Sequence, residues 1–380
     1  MRTRYLFHTG LVAVAALVTL TPPATHASPP AADTWTMAGA MHQAHVYHTA
    51  TLLPSGLVLV AGGCTVSCVA TASAELYHPH TGSWASTSAM HVPRLQFTAT
   101  LLRDGQVLAA GGISTDGNPL TGAELYNPRT SVWTITGSMH ESRSLQTATL
   151  LPDGRVLVTG GAGGSNASPL AEAELYDPRA GTWTLTGAMH QARARQTATL
   201  LPDGKVLVAG GAAGGSNYAN ANPLASAELY NPRTGVWTMT GAMHDPRFSH
   251  SATLLRNGLV LVAGGYDAGG DALQAELYDP HTGSWTRTGS LHHAINFQTG
   301  EGAARLSSGL VLVAGNATNL SNPSLAGAEL YNPRTGAWTL TGPLHEPRDG
   351  QAETLLSTGQ VLVAGGWFAS PLASAEVYQP

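Results

Sequence analysis

Gln191 to Trp237 reads Q-A-R-A-R-Q-T-A-T-L-L-P-D-G-K-V-L-V-A-G-G, then a Gly/Asn-rich stretch, then A-E-L-Y-N-P-R-T-G-V-W. The unit recurs along the chain, with its Trp at Trp35, Trp84, Trp133, Trp183, Trp237, Trp285 and Trp338. Successive spacings are 49, 49, 50, 54, 48 and 53 residues, and such a period must be read before any single residue. Within one copy, Thr197 to Leu201 and Lys205 to Ala209 alternate or run apolar around the turn Pro202-Asp203-Gly204, which predicts a hairpin. Ala227 to Tyr230 and Val236 to Thr240 flank a second turn, Asn231 to Gly235, and predict two more strands.

Four antiparallel strands in about fifty residues make a small twisted sheet with two apolar faces. Stacking such sheets around an axis buries both faces and leaves only short edges. The fold class is therefore all-β, a β-propeller. The double Gly, at Gly62-Gly63, Gly111-Gly112, Gly160-Gly161, Gly210-Gly211, Gly264-Gly265 and Gly365-Gly366, has the variant Gly315-Asn316 and so makes seven blades. The chain opens with a lone fourth strand at Trp35 and closes with a third strand at Glu376 to Tyr378. The two predict one shared blade, closed by pairing the N-terminal strand with the C-terminal one.

Double Gly after an apolar strand, then Tyr, then Trp about seven residues on, resembles the kelch repeat in seven copies over residues 34–380. That resemblance implies a seven-bladed kelch propeller. Galactose-oxidase-like copper enzymes share it, and the likeness implies an alternative function: Tyr47-His48 as a ligand pair for copper, with His250 or His292 as a further ligand. Cys64 and Cys68, with three residues between them in one loop, favour a disulfide over the Tyr–Cys crosslink of those enzymes. The motifs themselves call for no cofactor.

Charged residues make up 11% of the chain, the net charge is −5 and no Lys/Arg run occurs, which excludes a nucleic-acid binder's footprint. Arg2, Arg4, the apolar run Leu11 to Leu20 and the small residues Thr25 and Ala27 predict a signal peptide over residues 1–27, with an uncleaved anchor as the alternative. Residues 28–33 read as a Pro-rich leader. The expected product is a secreted or cell-surface monomer with no membrane span after cleavage.

Function is sought where the copies differ. The loops after the double Gly vary in every copy, and Tyr218, Tyr266, Trp367 and Phe368 there are candidate stacking groups. His42, His91, His140, His190, His244, His292 and His345 recur, and read as capping or packing groups because neighbouring sheets stand too far apart to share an ion. Three residues on stand His45, Arg94, Arg143, Arg193, Arg247 and Arg348. Guanidiniums around a channel mouth suit an anionic peptide or glycan, whereas paired with the repeated Glu they are structural links. His45 and His48 cluster in blade one, and blade six breaks the pattern, so that Asn296, Glu301 and Arg305 are candidates for the mouth. The leading expectation is a binding module; the alternatives are a copper or carbohydrate-active enzyme and a structural cell-surface module.

Overall fold

The computed structural model describes residues 33–164, 166, 168–214, 221–295, 302–315 and 327–380. Seven four-stranded antiparallel sheets form the blades of a ring. Blade 4 shows the plan: inner strand Thr197–Leu200, second strand Val206–Ala209, third strand Ala227–Asn231 and outer strand Val236–Met239. The second strand is wholly buried in every blade, because V-L-V-A or its variants face a neighbouring blade on each side. Seven apolar clusters, each made from two adjacent blades, are the core of the ring.

Ring closure follows the expected pairing. Thr34–Ala38 is the outer strand of blade 7 and pairs with Ala375–Gln379, Trp35 opposite Tyr378. Tyr and Trp stand opposite each other in every blade, with ring centroids 4.9–5.2 Å apart. That spacing suits tilted aromatic pairs and adds to the area they bury.

The double Gly is a point of inter-blade contact. Gly111 and Gly112 have φ of 65° and 97°, and the Gly112 N–H donates to the Arg143 carbonyl of blade 3 at 2.9 Å. A Cβ on Gly111 would lie 2.5 Å from that carbonyl oxygen, so no side chain fits. In blade 6 the buried Ile295 replaces the Arg, and its carbonyl still accepts from the Gly265 N–H at 2.9 Å.

Candidate functional site

The Arg series is buried beneath the variable loops. Arg94, Arg143, Arg193, Arg247 and Arg348 are all 0% exposed. Arg143 is representative: Nη1 donates to Gly160 O at 2.9 Å and Glu172 O at 3.0 Å, and Nη2 to Glu174 Oε1 at 2.9 Å. The two carbonyls are the start and end of the blade 3 loop, so the guanidinium pins the loop stem. Arg94, Arg193 and Arg348 make the same set of contacts, and Arg247 stands 3.6 Å from Glu276. His45 substitutes in blade 1, with Nδ1 2.7 Å from Gly62 O and Nε2 3.7 Å from Glu75 Oε1. Of the two readings of this series, the geometry is that of a link to the repeated Glu rather than of a guanidinium ring at an open mouth: each Arg is turned to its own loop stem and carboxylate.

The same Glu residues hold the repeated His. Glu174 accepts from the N–H groups of His140 and Glu141 at 2.8 and 3.1 Å, and His140 Nδ1 lies 2.8 Å from Oε2. Burial pushes Glu174 up, yet the hydrogen bonds from His140 and Glu141 and the charge of Arg143 outweigh it, and the carboxyl is held below its ordinary range. Glu75 is held down to about 2: burial raises it, and His45, His42 and Gln43 together overcome that.

The true mouth lies two residues beyond each Arg. Tyr47, Gln96, Leu145, Arg195, Ser249 and Gly350 all have φ between 52° and 63°. Four of these N–H groups donate to the preceding blade's carbonyl: Gln96 to Tyr47 at 3.1 Å, Leu145 to Gln96 at 3.2 Å, Arg195 to Leu145 at 3.1 Å and Ser249 to Arg195 at 3.0 Å. Tyr47 N–H donates to Gly350 O at 2.9 Å and carries the chain of bonds across the seam. Left-handed φ at five non-glycine residues costs roughly 1–2 kcal/mol each and is held by this ring. Gly350 is required, since a Cβ there would lie 2.6 Å from the Tyr47 ring.

Beside the ring, the first residue after the double Gly bridges back to the residue before each ring position. Phe248 bridges Tyr266, and Asp349 bridges Trp367. Tyr266 stacks on Phe248 at 5.5 Å, and the Arg195 guanidinium sits 5.9 Å from the Phe248 ring. Trp367 and Tyr47, both half-buried, pack on Val46, Cys64, Ala70 and Leu95. Cys64 and Cys68 form the expected disulfide. Burial pushes the Asp349 carboxyl up, against the pull of the Gly350 N–H.

Sequence reasoning therefore found Tyr266 and Trp367 beside the mouth, and it named Tyr47 for another role. It missed Gln96, Leu145, Arg195, Ser249 and Gly350. Arg305 is corrected: the inner strand Ala303–Arg305 runs away from the mouth, which leaves Arg305 exposed at the opposite end. Asn296, Glu301 and Tyr218, and the signal and leader segments up to residue 32, lie outside the described residues. Phe368 is half-buried in a short hairpin with Ser370.

No protein-family model matches this sequence, and no curated protein matches it. Among solved structures, the chain is similar to a fungal alcohol oxidase of the AA5 family in complex with copper, at 19% identity and a TM-score of 0.73. The match covers 91% of this chain and 76% of that one.

The residues here do not fit a copper centre of the kind that the resemblance implies. His48 faces Gly365 of blade 7, in the seam between two blades. His250 Nε2 is engaged by Thr197 Oγ1 of blade 4 at 3.0 Å. His292 is half-exposed and bonded to Glu329 at 2.8 Å. Cys64 is consumed in a disulfide. Among the described residues no three His, Cys, Asp or Glu side chains gather as a metal-binding group. In fold, the chain is a seven-bladed β-propeller with kelch-like repeats, similar in fold to that alcohol oxidase.

Proposed function

We propose that this chain is a secreted binding module that holds a glycan or peptide over the channel mouth. One observation carries the reading. A uniform, strained backbone ring carries the partly exposed side chains of Tyr47, Gln96, Leu145 and Arg195, with Ser249 and Gly350 buried in its frame. A rigid frame with varied side chains is how recognition surfaces are built. Tyr47 and Trp367 supply aromatic area on one side; Arg195 and Tyr266 supply a polar and aromatic edge on the other.

The ligand chemistry shifts from the sequence expectation. With the Arg series buried, Arg195 is the one cation of the described ring, while Glu141, Asp267, Asp271, Glu346 and Asp349 stand on the same face. A neutral glycan or an uncharged peptide suits this mouth better than a polyanion. Secretion rests on the N-terminal segment, and among the described residues no helix is long and apolar enough to cross a membrane. Screening the purified chain on glycan and peptide arrays, with Tyr47→Gly and Trp367→Ala beside it, tests the reading. Binding lost in both variants at unchanged stability supports it. Hydrogen peroxide production from alcohols by copper-loaded protein would replace it with the oxidase reading that the fold likeness favours.

A further inference from the structure

The face opposite the mouth is formed by the two repeated turns of each blade. Between neighbouring blades these turns border grooves, with cavity volumes of 620, 440, 930 and 430 Å³ at the 1–2, 2–3, 3–4 and 5–6 junctions. Those volumes fall in the range of ligand clefts. Each groove is edged by one arginine from the second turn: Arg129, Arg179, Arg233 or Arg334.

These four arginines are held by their backbone and free at their heads. Each N–H donates to an Asn or Asp side chain two residues earlier, at 2.9–3.0 Å. Each side chain is exposed, and none of the four guanidiniums makes an ion pair or hydrogen bond among the described residues. The first turn adds a second cation to each groove. Arg103 and Arg256 reach the carbonyls of Pro152 and Ser307 on the next blade, and Arg155 and Lys205 pair with Asp153 and Asp203. The 5–6 groove contains Arg256 and Arg334 and no carboxylate at all. Blades 1 and 5 carry His80 and His281 at the second-turn position, so folding does not require arginine there.

We propose that this turn face binds a linear acidic polysaccharide, with one carboxylate or sulfate seated in each groove. A guanidinium fork matches either anion through two parallel hydrogen bonds. A single exposed pair is weak, and screening sets in beyond about 8 Å at physiological ionic strength. The grooves recur at four blade junctions, three of them consecutive, however, and a polymer with a regular anion spacing can occupy several at once. The grooves offer no aromatic side chain for insertion into a lipid interface or for stacking bases. Asp104, Asp153, Asp177 and Asp203 line three of the four grooves beside the cations, so the 5–6 groove is the most positive.

The test uses the full chain, with polygalacturonate and heparin as probes and neutral dextran as control. Both acidic polymers are expected to bind at low salt and dextran is not, with galacturonate monomer failing to compete. Replacing all four arginines (R129S/R179S/R233S/R334S) is expected to weaken polymer binding by about tenfold or more, without moving the melting temperature. R256S/R334S should show a smaller loss. Tyr47→Gly, on the opposite face, should leave polymer binding unchanged. Absence of binding to both acidic polymers, equal binding by the fourfold variant, or tighter binding to DNA or anionic vesicles of equal charge would overturn the proposal.

Discussion

Glu353, on the inner strand of blade 7, lies against the backbone of Ala304 on the inner strand of blade 6. The equivalent contact between blades 7 and 1 joins Thr354 to Ala50, with Oγ1 donating to the Ala50 carbonyl at 3.2 Å. Glu353 occupies the position of Ala50, Ala99, Ala148, Ala198, Ala252 and Ala303, and Ala304 that of Thr51, Thr100, Thr149, Thr199, Thr253 and Thr354. The small residue and the large one have thus changed sides at one blade junction. Both carboxyl oxygens of Glu353 are buried without a hydrogen-bond partner.

Burial pushes the Glu353 carboxyl well above its ordinary value, and the nearby backbone of Ala314 and Ala304, which makes no true hydrogen bond to it, offsets only part of that. The folded protein therefore keeps a proton that the unfolded chain gives up. Its effect is absent below the ordinary carboxylate range and destabilises increasingly as pH rises toward the folded pKa. Glu353→Gln should raise the urea midpoint at neutral pH and leave it unchanged at pH ~4. The double change E353A/A304T, which restores the repeated contact, should gain about 1–3 kcal/mol at pH ~7.

The clamp carboxylates have the opposite sign. Glu75, Glu124, Glu174 and Glu228 are held below their ordinary range, so the stability they contribute is complete above that range and lost as pH falls through their folded values. Glu75→Gln should lower the urea midpoint at neutral pH and flatten its fall toward pH ~2. A midpoint of Glu75→Gln that still tracks wild type through the acid limb would contradict this.

The buried Arg series should behave as structure. Arg143→Ala strands Glu174 and two carbonyls and should cost about 3–5 kcal/mol. Hydrogen exchange should quicken first at residues 160–172, the stem that Arg143 ties. Lost ligand binding with unchanged melting and exchange would return the guanidinium to a recognition role.

Closure of the ring rests on Trp35, 6% exposed and 5.2 Å from the Tyr378 ring centroid. Trp35→Ala should cost about 3–5 kcal/mol. Removing Thr34 to Met37 should destabilise the whole ring cooperatively, seen as one sharp thermal transition at lower temperature. An unchanged melting temperature would mean that blade 7 is complete without its N-terminal strand.

Blade 2 offers a gain instead. Ser131 has a φ of 56° where Gly82, Gly181, Gly235, Gly283 and Gly336 stand in other copies. Ser88 replaces the Gly whose carbonyl receives the Trp N–H elsewhere, and Trp133 Nε1 is left without a partner. Ser131→Gly should stabilise by about 1 kcal/mol in thermal unfolding.

What repeats in the sequence was legible, and what varies was legible only in part. Tyr378 and Trp35 are assignable to one blade because the chain opens on a lone Trp strand and ends on a Tyr strand that lacks one, and the disulfide of Cys64 and Cys68 is legible from their shared loop. Arg143 was just as visible, but a repeat does not reveal which way a side chain points; only the paired Glu174 hinted at its burial. The mouth ring escaped because its backbone is uniform while its residues are not. A left-handed φ at Tyr47 or Leu145 leaves no mark on the sequence, and Gly350 alone carried the usual signal. Arg305 was misplaced because strand direction, not proximity to the broken pattern, decides which end of the channel a residue reaches.

The central claim is that the ring of varied side chains at the mouth is a recognition site. Its most direct test is titration calorimetry of the best array ligand against wild type, Tyr47→Gly, Arg195→Ala and the turn-face variant R129S/R179S/R233S/R334S. The account predicts that the two mouth variants weaken binding by about tenfold or more while the turn-face variant binds as wild type does. Equal affinity across all four proteins would contradict it.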